Sequence, residues 1–404
     1  MISVAEALER VVAGVSCVPA EQTGVARALG RVLAEDVVSR VTQPPADVSS
    51  MDGYAVRSED VATVPAALMR IGESAAGRGF DGRVDAGQTV RIFTGAPVPD
   101  GADTIVIQED IDAEGNSVVV KVTSPPGSCI RRAGLDFETG QVLLQAGRVM
   151  SARDVGMAAA MNVPWLMVRR RPRIAIVATG DEVVMPGDPV GPNQILSSNS
   201  LALAATVTAF GGTPVNLGIA RDDEESLLAM VNAARGADML VTIGGASVGD
   251  HDLVRKVLGE EGFDLTFYRI AMRPGKPLIF GRLGDTPVLG LPGNPVSVGV
   301  TSMLFLRPAI RVMLGMAAED GPPPTAILGR DLGENDKRED YLRSKLSQDA
   351  DGNLVATPFD KQDSSMLALF SQADCLVIRP AFAAPLKAGS LVPYLPLRSG
   401  MISI

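Results

Sequence analysis

The chain has 404 residues, 46% hydrophobic and 21% charged, a globular composition with room for two to four domains. Its formal net charge of -10 argues against broad nucleic-acid binding, which needs a basic surface to displace counterions. One histidine (His251) and three scattered cysteines (Cys17, Cys129, Cys375) exclude a His-rich metal site, a disulfide framework and a CxxC zinc site, leaving carboxylates to hold any divalent metal.

The chain opens on MISVAEALER. Glu6 and Glu9 fall where a signal peptide needs apolar residues, so no secretory leader is expected. The sparse cysteines suit a reducing cytoplasm. Ser3 and Glu6 have capping-box spacing ahead of a helix over ALERVVAGV. VARALGRVLAEDVVS repeats apolar residues at helical spacing and predicts a second helix. Residues 42–136 carry short apolar runs broken by Gly, Pro and Asp, such as TVRIFTGAPVPDGADTIVIQED and NSVVVKV. They predict a small β-rich insertion domain. Helical pattern returns at SARDVGMAAAMNV, giving a helical domain split between 1–41 and 137–170.

A third texture covers 171–318. IAIVAT is a continuous apolar run, the mark of a strand covered on both faces. Helix SNSLALAATVTAFGG, strand PVNLGIA, helix DDEESLLAMVNAARG, strand DMLVTI and helix LVRKVLGEEG follow. Strands DLTFYRIA, PLIFG and PVLGL then lead to a long helix opened by Asn294-Pro295. This alternation predicts a doubly wound α/β domain, with ligands beyond the carboxyl ends of its strands. The uncharged run from Thr286 to Leu306 has two prolines and Gly293-Asn294 in its middle. It reads as strand, loop and helix rather than a membrane span. After the break EDGPPPTAI, residues 319–404 hold short strands (NLVATPF, DCLVIRP, SLVPYLP) and predict a small β barrel or sandwich.

Four loops in the α/β domain share one end of the sheet: TGDEV (179–183), RDD (221–223), GGASVGDHD (244–252) and GLPGNPVS (290–297). Gly244, Gly245, Gly249 and Gly293 let backbone N–H groups approach an anion. Ser247 and Ser297 add hydroxyls, and Asn294 starts a helix whose N-terminus attracts negative charge. Glu182, Asp222, Asp250 and Asp252 would repel a bare phosphate and make sense with Mg²⁺ between. Taken singly, Asp222 and Asp252 serve equally well as helix N-caps, and Asp223 competes with Asp222 for one of them. YRIAMRPGKP adds three cations, Arg269, Arg273 and Lys276. Two distant segments, SSMDGYAV with Asp52 and FTGAPVPDGAD with Thr94, are turns by composition alone. Arg343, Ser364 and Ser365 lie in REDYLRSK and KQDSSM.

Together SSMDGYA, TGAPVPDGAD, ATGDEV, GGASVGDHD, RPGKP and GLPGNPVS resemble the MoeA family of molybdopterin molybdenumtransferases, related to the gephyrin E domain. The match runs in order along essentially the whole chain, and GGASVGD alone is shared with MogA-type adenylyltransferases. The resemblance implies a four-domain subunit that forms a homodimer through its split helical domain. A MogA-like α/β domain, a β-rich insertion and a C-terminal β barrel complete it. It implies insertion of molybdate into adenylylated molybdopterin, with AMP released and Mg²⁺ present. It carries over active-site roles to Asp52, Thr94, Glu182, Asp222 and Asp252, with Asp52 and Thr94 facing the other subunit's α/β domain. It assigns molybdate and phosphate binding to Arg273, Lys276, Ser297, Arg343, Ser364 and Ser365. Arg269 and Arg273 stand where lysines are expected, so a point charge becomes a planar fork. A MogA-type adenylyltransferase and molybdoenzyme acceptors are the implied partners. An ATP-using adenylyltransferase and a non-catalytic molybdopterin-binding scaffold are the rival readings.

Overall fold

In the α/β region, the strand Arg173–Thr179 is buried along nearly its whole length, as its unbroken apolar run requires. The structure, a computed structural model, describes residues 1–244, 259, 262–319 and 321–397. Ser247, Gly249, Asp250 and Asp252 lie outside them, as does nearly all of the helix expected over LVRKVLGEEG. The chain forms two compact units, one of Met1–Glu35, Ala146–Val155 and Trp165–Ile404, the other of Asp36–Gln145 and Gly156–Pro164.

The first unit is built on a six-stranded sheet. Its order is Thr213–Ala220, Arg173–Thr179, Met239–Ile243, Thr286–Leu291, Pro277–Leu283, Phe263–Arg269. The first four strands are parallel, and the last two pair antiparallel. Alternate residues feed two cores. Ile174 and Ile176 join Leu203, Phe280, Phe305 and the N-terminal helix residues Ala7 and Val11. Ala175 and Val177 join Leu227 and Leu240 on the other face. Each fully buried large side chain of this kind contributes about 2–3 kcal/mol. From Arg173–Thr179 the chain crosses to Thr213–Ala220 on one side and then to Met239–Ile243 on the other. That reversal opens a crevice at the carboxyl ends of the strands.

Thr286–Leu291 is a strand, and a loop leads to the helix Pro295–Thr301 with Asn294 at its N-cap and Pro at its start. A π turn, Ser302–Leu306, continues it into Arg307–Met313. Among the described residues this run, Pro295–Met313, is apolar and long enough to cross a membrane, and it is 78% buried inside the protein. Beyond it, Glu339–Gln348, Leu354–Pro358, Thr325–Leu328, Leu391–Pro396 and Cys375–Arg379 pair in a closed ring, a five-stranded barrel. The short strand Met272–Arg273 adds to Glu339–Gln348, tying the α/β sheet region to the barrel.

At the N-terminus, Ser3 caps the helix Val4–Ala13 by accepting from the Glu6 N–H at 3.1 Å. The helix expected over VARALGRVLAEDVVS does not form. Val25–Arg27 make one 3₁₀ turn, and Val32 and Leu33 bridge to Val149 and Val168. Gly30 sits at φ +71, which stops the turn, and both Val32 and Leu33 gain full burial as bridge residues. Tertiary pairing here overrides helical spacing. SARDVGMAAAMNV does form a helix, Ala152–Ala160.

The second unit holds a six-stranded sheet in the order Thr104–Ile107, Gly53–Val56, Gln88–Ile92, Ala66–Ser74, Ser117–Val120, Ile111–Glu114. Ala66–Ser74 and Gln88–Ile92 run parallel and the other pairs are antiparallel. Tyr54 and Val56 face one core, Ala55 and Ile105 the other. This is the β-rich texture read from residues 42–136.

Candidate functional site

The crevice of the α/β sheet contains a cavity of about 720 Å³. Its floor is the ends of two neighbouring strands, Ala178–Thr179 and Ile243–Gly244. A Cβ on Gly244 would lie 3.0 Å from Thr179 Oγ1 and 3.2 Å from its carbonyl, at φ +88, so the floor needs glycine there. Glu182, Asp222, Arg273, Lys276, Asn294, Ser297 and Ser364 all line this one cavity.

Two strand-end loops bring the carboxylates together. Gly180 N–H donates to the Ala220 carbonyl at 3.3 Å, and the Asp222 N–H donates to Asp181 Oδ1 at 3.1 Å. Glu182 and Asp222 therefore come from adjacent, clipped loops, and both are exposed at the lining. The capping role falls to Asp223, which accepts from the Ser226 N–H at 2.7 Å. That assignment leaves the Asp222 side chain at the cavity rather than at the helix end.

The opposite wall is built from the barrel. Asn294 Nδ2 donates to Ser364 Oγ at 2.8 Å, and the Val296 N–H donates to the Ser364 carbonyl at 3.1 Å. Asn199 Nδ2 donates to the Gly293 carbonyl at 2.7 Å. Ser365 does not line the cavity. Its hydroxyl and N–H donate to Asp363 Oδ1 at 2.6 and 2.8 Å. Those two bonds hold the Asp363 carboxyl below the usual range.

Arg343 is 1% exposed. Its guanidinium donates to the Asp363 carbonyl at 2.8 Å, to Gln362 Oε1 at 3.2 Å and to the Lys361 carbonyl at 3.3 Å. It braces the loop that carries Ser364, and it is not among the residues that line the cavity. Replacing it with Met strands Gln362 and two carbonyls. Arg343→Met is expected to cost about 3 kcal/mol, read as an earlier denaturation midpoint.

Arg269 also lies off the cavity, exposed with its guanidinium 5.1 Å from the Tyr268 ring centroid. Arg273 does line it, but Asp340 takes its Nε at 2.8 Å and its Nη2 as well, and Asp336 lies 3.5 Å from Nη1. The paired carboxylate raises the Arg273 pKa further. Arg338 pairs with Asp336 at 2.8 Å, which lowers the Asp336 carboxyl to about 2. Among the described residues Lys276 is thus the cavity-lining cation with no carboxylate partner.

Asp52 and Thr94 meet in the second unit. The Thr94 N–H and hydroxyl both donate to Asp52 Oδ1, at 2.7 and 2.8 Å. These bonds, the backbone one foremost, hold the Asp52 pKa below its ordinary value. Arg91 lies beside them, 5.0 Å from the Tyr54 ring centroid and 4.9 Å from that of Phe93. Because the shift is downward, Asp52 keeps its charge further into acid than a free carboxylate does. Thr94→Val is expected to raise the Asp52 pKa towards 3.8, so that charge is lost earlier as pH falls. Carboxyl carbon NMR titration reads this directly, and an unmoved pKa would refute the assignment.

Sequence reading missed Asp181, Asn199, Arg338 and Gln362. Asn199 sits in SSNSL at a helix start and Gln362 beside the two serines of KQDSSM, but nothing in either stretch marks which side chain turns to the cavity. Among the described residues no three His, Cys, Asp or Glu side chains cluster tightly enough to hold a metal alone.

Three family models match the chain: the MoeA N-terminal region (domain I and II) over residues 2–162, a probable molybdopterin binding domain over 175–312, and the MoeA C-terminal region (domain IV) over 325–397. A molybdopterin molybdenumtransferase from Nostoc sp. is 40% identical over 326 residues, 78% of this chain and 75% of that protein. Molybdopterin molybdenumtransferase 2 from Mycobacterium tuberculosis is 34% identical over 90% of this chain and 92% of its own length. A crystal structure of a molybdopterin biosynthesis MoeA protein from Pyrococcus horikoshii superposes with a TM-score of 0.87 at 31% identity, covering 99% of this chain and all of that one.

Proposed function

Since the chain belongs to the MoeA family and is a molybdopterin molybdenumtransferase of molybdenum cofactor biosynthesis, we propose that it inserts molybdate into adenylylated molybdopterin and releases AMP, with magnesium present. The observation that carries this reading is the mixed lining of one cavity. Among the described residues, the carboxylates of Glu182 and Asp222, the Lys276 ammonium, the Ser297 and Ser364 hydroxyls and the amides of Asn199 and Asn294 share about 720 Å³ at the carboxyl ends of the strands.

Each group has a task in that reaction. Molybdate is a tetrahedral dianion. Lys276 meets its charge, and the Ser297 and Ser364 hydroxyls donate to its oxygens. The bond from Asn294 fixes the Ser364 hydroxyl, and Asn199 holds the Gly293 turn beneath it. Glu182 and Asp222 are the residues that would hold magnesium. Hard carboxylate oxygens on clipped loops suit that ion, with water and phosphate oxygens completing its shell. Bound there, magnesium supplies neutralisation of the pyrophosphate-like linkage. None of the three cysteines lines the cavity, and burial pushes the Cys375 thiol up to about 12. No protein thiol is needed, because the pterin's own sulfurs bind the metal.

The protein works as a homodimer in this reading, with the Asp52–Thr94 pair of one protomer facing the cavity of its partner. A MogA-type adenylyltransferase supplies the adenylylated pterin, and molybdoenzymes take the product. A cytoplasmic location fits the three unpaired cysteines.

The test is AMP release from purified protein with adenylylated molybdopterin and Mg²⁺, with and without molybdate. Molybdate-dependent AMP release with active cofactor formed is expected. ATP consumption with pyrophosphate release would favour an adenylyltransferase. A bound pterin nucleotide that is never cleaved would favour a scaffold.

A further inference from the structure

Arg273 occupies the rim of the cavity, yet every nitrogen of its guanidinium already has a carboxylate or amide partner. Nε and Nη2 grip Asp340 in a two-point fork, Nη1 faces Asp336 at 3.5 Å, and Nη2 also donates to Asn335 Oδ1 at 3.3 Å. Asp340 is 4% exposed, and the buried Arg379 acts on it from behind. Arg379 is 2% exposed, its Nη2 donates to the carbonyls of Gly333, Ala383 and Ala384, and its Nη1 has no hydrogen-bond partner. Asn335 ties the cradle together, donating to the carbonyls of Arg338, Arg379 and Pro380 at 2.9, 3.2 and 2.8 Å. The backbone runs in step with the side chains: Met272 and Arg273 pair in parallel with Glu339 and Asp340.

Three residues after Arg273 comes Lys276, the lining cation without a carboxylate partner among the described residues. The Ile270 N–H donates to the Lys276 carbonyl at 3.1 Å, so the segment 270–276 closes on itself. Ile270 and Met272 bury in the main core, and among the described residues the polar side-chain anchor of this segment is the Arg273 fork. A lysine there could offer the charge but not the planar two-point grip.

We infer that Arg273, through Asp340, is a positioning residue: it pins the 270–276 loop to the barrel and so places Lys276, and it does not itself bind the oxyanion. This rests on the oxyanion reading of the cavity given above. It reassigns the arginine from ligand to brace and adds Asp340 and Asn335 to the residues that set oxyanion affinity.

The two roles predict opposite behaviour for a charge-conserving change. As a ligand, Arg273 would tolerate Arg273→Lys and fail as Arg273→Met. As a brace, both variants fail alike, because neither can grip Asp340. Direct calorimetric titration of the full-length protein with molybdate is the first measurement. Arg273→Lys, Arg273→Met and Asp340→Asn are each expected to weaken binding about 10-fold, and Arg273→Lys/Asp340→Asn no further than either single change. Near wild-type affinity for Arg273→Lys with a large loss for Arg273→Met would overturn the inference. The second measurement is amide hydrogen exchange at Ile270, whose N–H closes the loop on the Lys276 carbonyl; it needs no ligand and is read under conditions where Arg273→Lys stays folded. Faster exchange in Arg273→Lys is expected, and unchanged exchange overturns the brace. Wild-type protein that binds no molybdate would count against the oxyanion reading, and the exchange result then decides the brace alone.

Discussion

Glu182→Gln is expected to lower molybdate-dependent AMP release on the order of 100-fold while leaving the melting temperature unchanged. The side chain is exposed at the cavity lining, so its loss strands no buried partner. Its amide keeps the shape and removes the charge. Asp222→Asn is expected to act in the same way, because both carboxylates face one space from clipped loops. Raising Mg²⁺ recovers part of the rate in each variant if the loss is one of metal affinity. The neighbouring Asp223→Ala gives the contrast. It removes an N-cap at a cost of about 1 kcal/mol of stability and leaves AMP release near the wild-type rate. Rates measured across a magnesium series, beside melting curves, separate the cases. A Glu182→Gln enzyme with full activity would remove this carboxylate from the reaction.

The second large effect is a rescue. With the homodimer proposed above, Asp52→Asn and Glu182→Gln are each expected to be nearly inactive when purified alone. Mixed by co-expression, they are expected to recover about a quarter of wild-type activity. Half the dimers are then hybrids, and each hybrid holds one site in which neither residue is altered. That arithmetic holds only if the Asp52–Thr94 pair serves the partner's cavity. If both residues serve their own protomer's site, every hybrid site carries one defect and mixing restores nothing. Tagging the two variants differently lets the hybrid be isolated and assayed alone.

Much of the α/β architecture was legible because its signals are local. An unbroken apolar run such as IAIVAT has one stable placement, a strand buried on both faces. Ser3 with Glu6, and Asn294 with Pro295, mark helix starts through short-range geometry. The loops at 179–183, 221–223 and 290–297 were legible for the same reason, since each follows a strand end, while residues 245–252 lie outside the described residues. Failure came where the deciding contact was distant. VARALGRVLAEDVVS has helical spacing, but Val32 and Leu33 find strand partners at Val149 and Val168. Arg273 and Arg343 look alike in sequence, as cations near an anion site. Only Asp340, 67 residues from the one, and the Gln362–Asp363 loop, about 20 from the other, show that both are engaged elsewhere.

The bond from Asn294 to Ser364 joins residues 70 positions apart, and the fork from Arg273 spans almost as many. Closing such a span costs little at equilibrium, because the entropic penalty grows only with the logarithm of its length. Its kinetic cost is greater, since long-range contacts must wait for the segments between them. The α/β sheet meets a similar delay, since Ile174 pairs with the distant Met239, but the wall needs the sheet's loops and the barrel both in place. Competence to hold an oxyanion should arrive last in refolding, after the bulk of secondary structure. An oxyanion present during refolding would select the chains whose barrel has already docked.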